Sequence, residues 1–251
     1  MKQGKIYFAS DFHLGIPNRE KSLEREKLIV QWLDEIKKDA AEIYLMGDMF
    51  DFWFEYRTAV PKGFTRLLGK IAEISDSGIP ISVFTGNHDM WMFNYLQDEL
   101  GVNIYRKPIV REYNGKKFFL AHGDGLGPGD HGYKFIKKVF ANPLCQWLFA
   151  RIHPNTGIGI ANFWSRRSRM SNGIKDTFKG EEKEYLVNFV KDTLKKEHYD
   201  YFIFGHRHLP LEIQIGNSWY INLGEWVNYS TYAVFDGQKL ELKHFRQPVV
   251  K

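Results

Sequence analysis

The chain has 251 residues, 43% hydrophobic and 16% aromatic, enough to bury the core of one large domain and too apolar for intrinsic disorder. Its net charge of +5 suits an anionic partner (a phosphate compound, nucleic acid or membrane surface) and equally a solvated basic surface. One cysteine, Cys145, excludes an intrachain disulfide framework and points to a reducing cytosol, and no apolar run reaches the roughly 18 residues of a membrane span.

The opening "MKQGKIYFAS" runs into a strand pattern and lacks the features of a signal peptide. Five short apolar runs, each ending in polar residues, read as buried strands: "KIYFASDFH", "EIYLMGDMFD", "ISVFTGNHD", "KKFFLAHGD" and "YFIFGHRH". Helical patterns lie between several of them. Leu23 to Asp39 is amphipathic, with Leu28, Trp32, Leu33 and Ile36 on one stripe; "FTRLLGKIAEISDSG" closes on Gly78. "EEKEYLVNFVKDTLKKEH" precedes the fifth strand. Strands alternating with helices predict an α/β sheet. The last four runs, "EIQI", "SWYIN", "TYAVFD" and "KLELKHF", have no helix between them and read as antiparallel hairpins, with a turn at Asp236 to Gln238. Residues 126–175, aromatic and basic at helical spacing, break the rhythm and read as a helical insertion within a single domain spanning 1–251.

In open α/β sheets, ligands gather beyond the carboxyl ends of the strands. Each of the five α/β strands delivers metal-capable or acid–base residues there: Asp11 and His13, Asp48 and Asp51, Asn87 with His88 and Asp89, His122 and Asp124, His206 and His208. Residues two apart on an extended chain share a face, so Asp11 with His13, and His206 with His208, are each expected to reach one site. A lone Asp-x-His is usually a loop; five sets at five strand ends are not a coincidence of composition. Carboxylate, imidazole and amide donors without thiolate favour Mn, Fe or Zn. Two metals need a shared carboxylate, for which Asp48 is the best placed.

The runs "DFH", "GDMFD", "GNHD", "HGD" and "GHRH" resemble the motifs of calcineurin-like metallophosphoesterases, in that family's order and spacing from Asp11 to His208. The resemblance implies an α/β/β/α sandwich and two divalent metal ions, Mn²⁺ foremost, with Fe or Zn as alternatives. It implies one metal on Asp11, His13, Asp48 and His208, and another on Asp48, Asn87, His122 and His206. It makes His88 the residue that stabilises the transition state or protonates the leaving oxygen, with Asp51 orienting it. A turn-capping carboxylate is the plainer reading of Asp51.

A second resemblance covers nearly the whole chain. "AHGDGLGPGDHGYKF", "NPLCQWLFARIHP", "GHRHLP" and "LGEW" are similar to the UDP-2,3-diacylglucosamine pyrophosphatases of lipid A synthesis. That family carries a helical cap here that grips two acyl chains, and works at the cytoplasmic face of the bacterial inner membrane. The resemblance implies an amphiphilic UDP-sugar lipid substrate and peripheral contact with an anionic membrane surface. It puts Asp130 and Tyr133 on the glucosamine. Phe135, Val139, Phe140, Leu144, Trp147, Leu148, Ile152, Phe163 and Trp164 are suited to an acyl pocket. Lys134, Lys137, Lys138, Arg166, Arg167 and Arg169 are suited to phosphates or anionic lipid. Ordinary core packing and solvated charge are the plainer readings of both sets. His88 stands where the best-known proteobacterial members have arginine. The alternatives are another nucleotide, phosphodiester or pyrophosphate substrate, a non-catalytic relic, and nucleic-acid binding through the basic aromatic insertion. No ligand motif is missing, which argues against the relic, and the clustered basic residues argue against nucleic acid.

Overall fold

The computed structural model describes residues 4–129, 131–171, 177–178 and 180–246, without the side chains of 131, 162 and 164–171. One sheet has six strands in the order β11-β10-β1-β2-β3-β4: Leu240–His244, Thr231–Phe235, Lys5–Ala9, Ala40–Leu45, Ile81–Phe84 and Asn103–Tyr105. The other has five in the order β5-β6-β7-β9-β8: Ile109–Tyr113, Lys116–Leu120, Tyr201–Phe204, Ser218–Leu223 and Pro210–Ile215. The pairings β1–β2, β2–β3, β3–β4, β6–β7 and β7–β9 are parallel.

Strand period decides the layering. Ile6 and Phe8, Tyr44 and Met46, Phe118 and Leu120, and Tyr201 and Ile203 face the space between the sheets. Their neighbours Tyr7, Ala9, Ile43, Leu45 and Val83 face outward onto helices α1 (Arg19–Ile36), α2 (Thr65–Asp76) and α3 (Tyr95–Leu100). Phe119, Ala121, Phe202 and Phe204 face α7 (Tyr185–Leu194). Strands covered on both faces read as continuous apolar runs, which is why they were legible. The result is the expected α/β/β/α sandwich.

On α1, Ile29, Trp32, Leu33 and Ile36 are buried and Leu28 is half-buried at the rim. The helix begins earlier than its apolar stripe, because Asn18 caps it: Asn18 Oδ1 accepts from Lys21 N at 2.9 Å. Strands β4 and β5 were not foreseen. The first is three residues at a sheet edge, and the second alternates half-buried with exposed side chains, so neither makes an apolar run. The C-terminal hairpins form, but in different sheets: β8–β9 in one and β10–β11 in the other.

Between β6 and α7 the chain folds into α4 (His131–Phe140), α5 (Pro143–Phe149) and α6 (Pro154–Ser171). Phe149 packs 4.7 Å from Phe54 and 4.8 Å from Trp91, and Trp91 Nε1 donates to the Phe140 carbonyl at 2.8 Å. Residues 130 and 172–175 of the expected insertion lie outside the described residues.

Candidate dinuclear metal centre

The loops after β1, β2, β3, β6 and β7 meet at one end of the sandwich. Sequence reasoning brought the paired residues together by extended geometry; the backbone does otherwise. Asp11 (φ 56), His13 (φ 44), Asp48 (φ 53), His206 (φ 67) and His208 (φ 54) are all left-handed. Such conformations cost about 1–3 kcal/mol each for a non-glycine residue and persist where the surroundings over-determine them. Here Asp11 N donates to the Gly47 carbonyl and His13 N to the Asp48 carbonyl, both at 3.0 Å. The Asp11 carbonyl accepts from Trp226 N at 3.1 Å. Close approach also requires two glycines. A Cβ on Gly86 would collide with the Asp48 carboxylate, and one on Gly205 would lie 2.5 Å from Asp11 Oδ2.

Each central carboxylate hydrogen-bonds through one oxygen and turns the other toward histidine nitrogens, with His208 Nε2 3.3 Å from Asp11 Oδ1 and His122 Nε2 3.5 Å from Asp48 Oδ2. Asp48 Oδ1 accepts from His88 N at 2.8 Å, and Asp11 Oδ2 accepts from His206 N at 3.0 Å. Asp48 Oδ2 and Asp11 Oδ1 are buried with no hydrogen-bond partner. A buried carboxylate oxygen without a donor is costly unless a cation satisfies it. Around these atoms, Asp11, His13, Asp48 and His208 place their donor atoms within 4.8 Å of one another, and so do Asp48, His122 and His206. Asp48 belongs to both groups. Asn87 Oδ1 joins the second, 2.7 Å from His206 Nδ1 and 3.4 Å from His122 Nε2. His13 Nε2 and His208 Nε2 stand 3.0 Å apart. The donor set fits two divalent cations sharing Asp48.

The surroundings set protonation accordingly. His122 Nδ1 donates to the Met46 carbonyl at 2.8 Å, which turns Nε2 toward Asp48 Oδ2, 3.5 Å away. Burial lowers the pKa of His13 and His206 to about 4, keeping them neutral, as metal ligands must be. Burial also disfavours charge on His122, but the Asp48 carboxylate outweighs it and holds that imidazole up at about 10, so His122 would release a proton on binding metal. Burial pushes against ionised Asp11 and Asp48, yet the neighbouring histidines hold both carboxyls well below the usual range.

His88 and Asp51 stand outside these two groups and form a third with His13, their donor atoms also within 4.8 Å of one another. His88 Nδ1 lies 3.1 Å from the Asp51 carbonyl and 3.7 Å from Asp51 Oδ1. A carbonyl only accepts, so Nδ1 carries the proton and Nε2 is the exchanging atom. The Asp51 backbone, rather than its carboxylate alone, therefore aims His88. The carboxylate also faces His13 Nδ1 at 3.8 Å.

Three residues hold the site in ways that sequence reasoning did not assign. Fully buried Asp89 accepts from Gly86 N (2.8 Å), Asp48 N (3.3 Å), Met49 N (2.7 Å) and Phe50 N (3.3 Å), sewing the β2 loop to the β3 loop. Burial and the adjacent Asp48 carboxylate push its pKa up to about 7. Arg207, between the two C-terminal histidines, donates to both oxygens of buried Glu184, at 2.8 and 2.9 Å. "GNHD" placed Asp89 near the site, but nothing in one sequence shows that its carboxylate turns inward.

The expected substrate residues divide. Tyr133 lies at the site, its ring 6.3 Å from that of His206, and its hydroxyl donates to Asp124 Oδ2. Asp130 and the side chains of Trp164, Arg166, Arg167 and Arg169 lie outside the described residues. Lys134 and Lys137 turn inward, to the Gly127 carbonyl and to Asp124, while Lys138 is exposed. Of the apolar set, Phe140 packs on Trp91 and Ile152 is half-buried, whereas Phe135, Val139, Leu144, Trp147, Leu148 and Phe163 are exposed.

Residues 4–210 match the calcineurin-like phosphoesterase family. A protein of Porphyromonas gingivalis named UDP-2,3-diacylglucosamine hydrolase is 40% identical over 96% of this chain and 97% of its own length. Proteins of the same name from Pseudomonas fluorescens and a Shewanella species are each 26% identical, over 96% and 95% of this chain and 95% and 96% of their own. Fold, converging donors and these matches agree: the chain belongs to the calcineurin-like phosphoesterase family.

Proposed function

We propose that this protein hydrolyses the pyrophosphate of UDP-2,3-diacylglucosamine to UMP and 2,3-diacylglucosamine 1-phosphate, with two divalent metal ions, Mn²⁺ foremost. One observation carries the substrate: the 40% identity to the Porphyromonas gingivalis hydrolase spans 96% of this chain, leaving too short a remainder to exclude the helical segment 131–171. The buried Asp11 and Asp48 oxygens that lack a hydrogen bond and face histidine nitrogens support the metals.

In this reading Asp11, His13, Asp48 and His208 would hold one ion, and Asp48, Asn87, His122 and His206 the other. Bound there, the ions would supply charge neutralisation for the phosphate oxygens and an activated water. The chain's own residues supply the rest. Asp48 spans both positions, while His88 N and the loop bonds keep its carboxylate from turning away. The Asp51 carbonyl fixes His88 Nδ1–H and leaves Nε2 to donate a proton, from the imidazolium form, to the oxygen leaving phosphorus. Asp130, Tyr133, Arg166 and Arg169 are assigned to substrate binding in this reading. Residues 126–175 form a cap within a single domain of 1–251.

Peripheral binding to the anionic cytoplasmic face of a bacterial inner membrane completes the proposal. Phe135 is 67% exposed and Trp147 53%, with Arg151 over the Trp147 ring at 4.7 Å. Apolar side chains beside basic ones suit an anionic lipid surface. No helix among the described residues is long and apolar enough to cross a membrane.

The test is UMP release from UDP-2,3-diacylglucosamine by metal-stripped protein, with and without Mn²⁺, beside bis-p-nitrophenyl phosphate. Mn²⁺-dependent UMP release is expected. Diester cleavage without UMP release would keep the phosphoesterase and discard the lipid substrate.

A further inference from the structure

Asp124 is buried two residues after His122, and the chemistry proposed above gives it no part. Its Oδ2 accepts from the Tyr133 hydroxyl and from Lys137 Nζ, each at 2.5 Å, and Lys137 also reaches the Asp124 carbonyl at 3.3 Å. Tyr133 and Lys137 are four apart on α4, so they stand one above the other on the same face. One carboxylate thus grips two successive turns. Lys134, on the same side, donates to the Gly127 carbonyl at 2.6 Å. A buried carboxylate paired to an ammonium and a phenol makes strong, directional bonds. The opposite face of α4, with Phe135, Ile136, Lys138 and Val139, is exposed. The loop that carries His122 is therefore the loop that fastens α4, and the fastened face brings the Tyr133 ring against His206.

We propose that Asp124 is a positioning residue that locks α4 in register with the metal loops. It sets how the lipid part of an amphiphilic substrate meets the phosphate site, while a small diester needs no such register. The Tyr133 hydroxyl serves this latch. The choice of affected substrate rests on the UDP-2,3-diacylglucosamine reading; the latch itself does not.

The test uses full-length Asp124→Asn and Lys137→Met, loaded with Mn²⁺. Amide hydrogen exchange over 131–140 should accelerate by about tenfold or more in both variants, as a charge-assisted tie is lost. Bound metal should match the parent. The kcat/KM for UDP-2,3-diacylglucosamine should fall about tenfold or more, chiefly through KM, with bis-p-nitrophenyl phosphate changed by no more than about twofold. Unchanged exchange in both variants would overturn the latch. Equal losses on both substrates with loss of metal would also overturn it, by making Asp124 part of the metal centre. If the parent releases no UMP from the lipid, the substrate reading fails alone, and the exchange rates still decide the latch.

Discussion

At the metal end of the sandwich, Asp11, His13, Asp48 and Asp89 are buried and held by bonds from neighbouring loops. Further along the chain, Phe135 and Phe163 stand 67% and 61% exposed on helices α4 and α6. The first region spends its polar groups on holding a few atoms in place. The second keeps much of its apolar surface outward and leans on the sandwich through Phe140, Phe149 and the Asp124 latch. Labour is divided between the two regions: position is built into the loops, and apolar surface is displayed on the helices.

The sharpest break of this comparison is Asp48→Ala. It removes the one residue common to both donor groups. Bound metal, read by elemental analysis, and turnover should both be lost, with the sandwich intact by circular dichroism. A variant that keeps both metals and normal activity would refute the sharing of Asp48. Next comes His88→Ala, which should keep the metals and slow turnover by about 10²–10⁴-fold if Nε2 delivers the proton. Metal loss there would make His88 a ligand.

Asp89→Asn probes the scaffold rather than the chemistry. Its amide nitrogen would face backbone N–H donors where a carboxylate oxygen now accepts, from Gly86 and Asp48 or from Met49 and Phe50. Metal affinity should fall about 10–100-fold, as for other residues that orient ligands. The fold should lose about 1–3 kcal/mol, measured by urea denaturation, for the mismatched buried donors. Unchanged metal affinity would show that the loops hold their shape without this carboxylate.

How much of this could be read in the sequence follows the same division. Strands β1, β2, β3, β6 and β7 were legible because both faces are buried, and their ends announced the donor residues. β4 and β5 were not, because an edge strand needs only half its side chains apolar. The donor residues converge as expected, but by a different route: Asp11 with His13, and His206 with His208, meet through left-handed turns, which period-2 reasoning cannot foresee. Asp89 and Asp124 read as members of a polar cluster, but Asp89 binds backbone amides of the distant β2 loop and Asp124 binds the following helix α4. The first contact depends on tertiary placement and leaves no local spacing, and the second depends on how the loop turns back onto the helix.

The smallest effect on stability should come from the exposed face of the helices. Trp147→Ser and Phe135→Ser remove side chains that are mostly in water already, so each should change stability by about 0.5 kcal/mol or less. Ile29→Ala, at a fully buried position on α1, should cost about 2–5 kcal/mol by the same measurement. Activity should run the other way. The exposed pair, combined, should raise KM for the lipid pyrophosphate and weaken binding to vesicles containing anionic lipid, with bis-p-nitrophenyl phosphate hydrolysis unchanged. Binding free energy drawn from acyl chains is available only to a substrate that has them. A stability loss of core size from the exposed pair would mean that these rings pack against the protein in solution, and the display of apolar surface would not hold. Equal effects on lipid and diester would place the helices in the chemistry itself rather than in recognition.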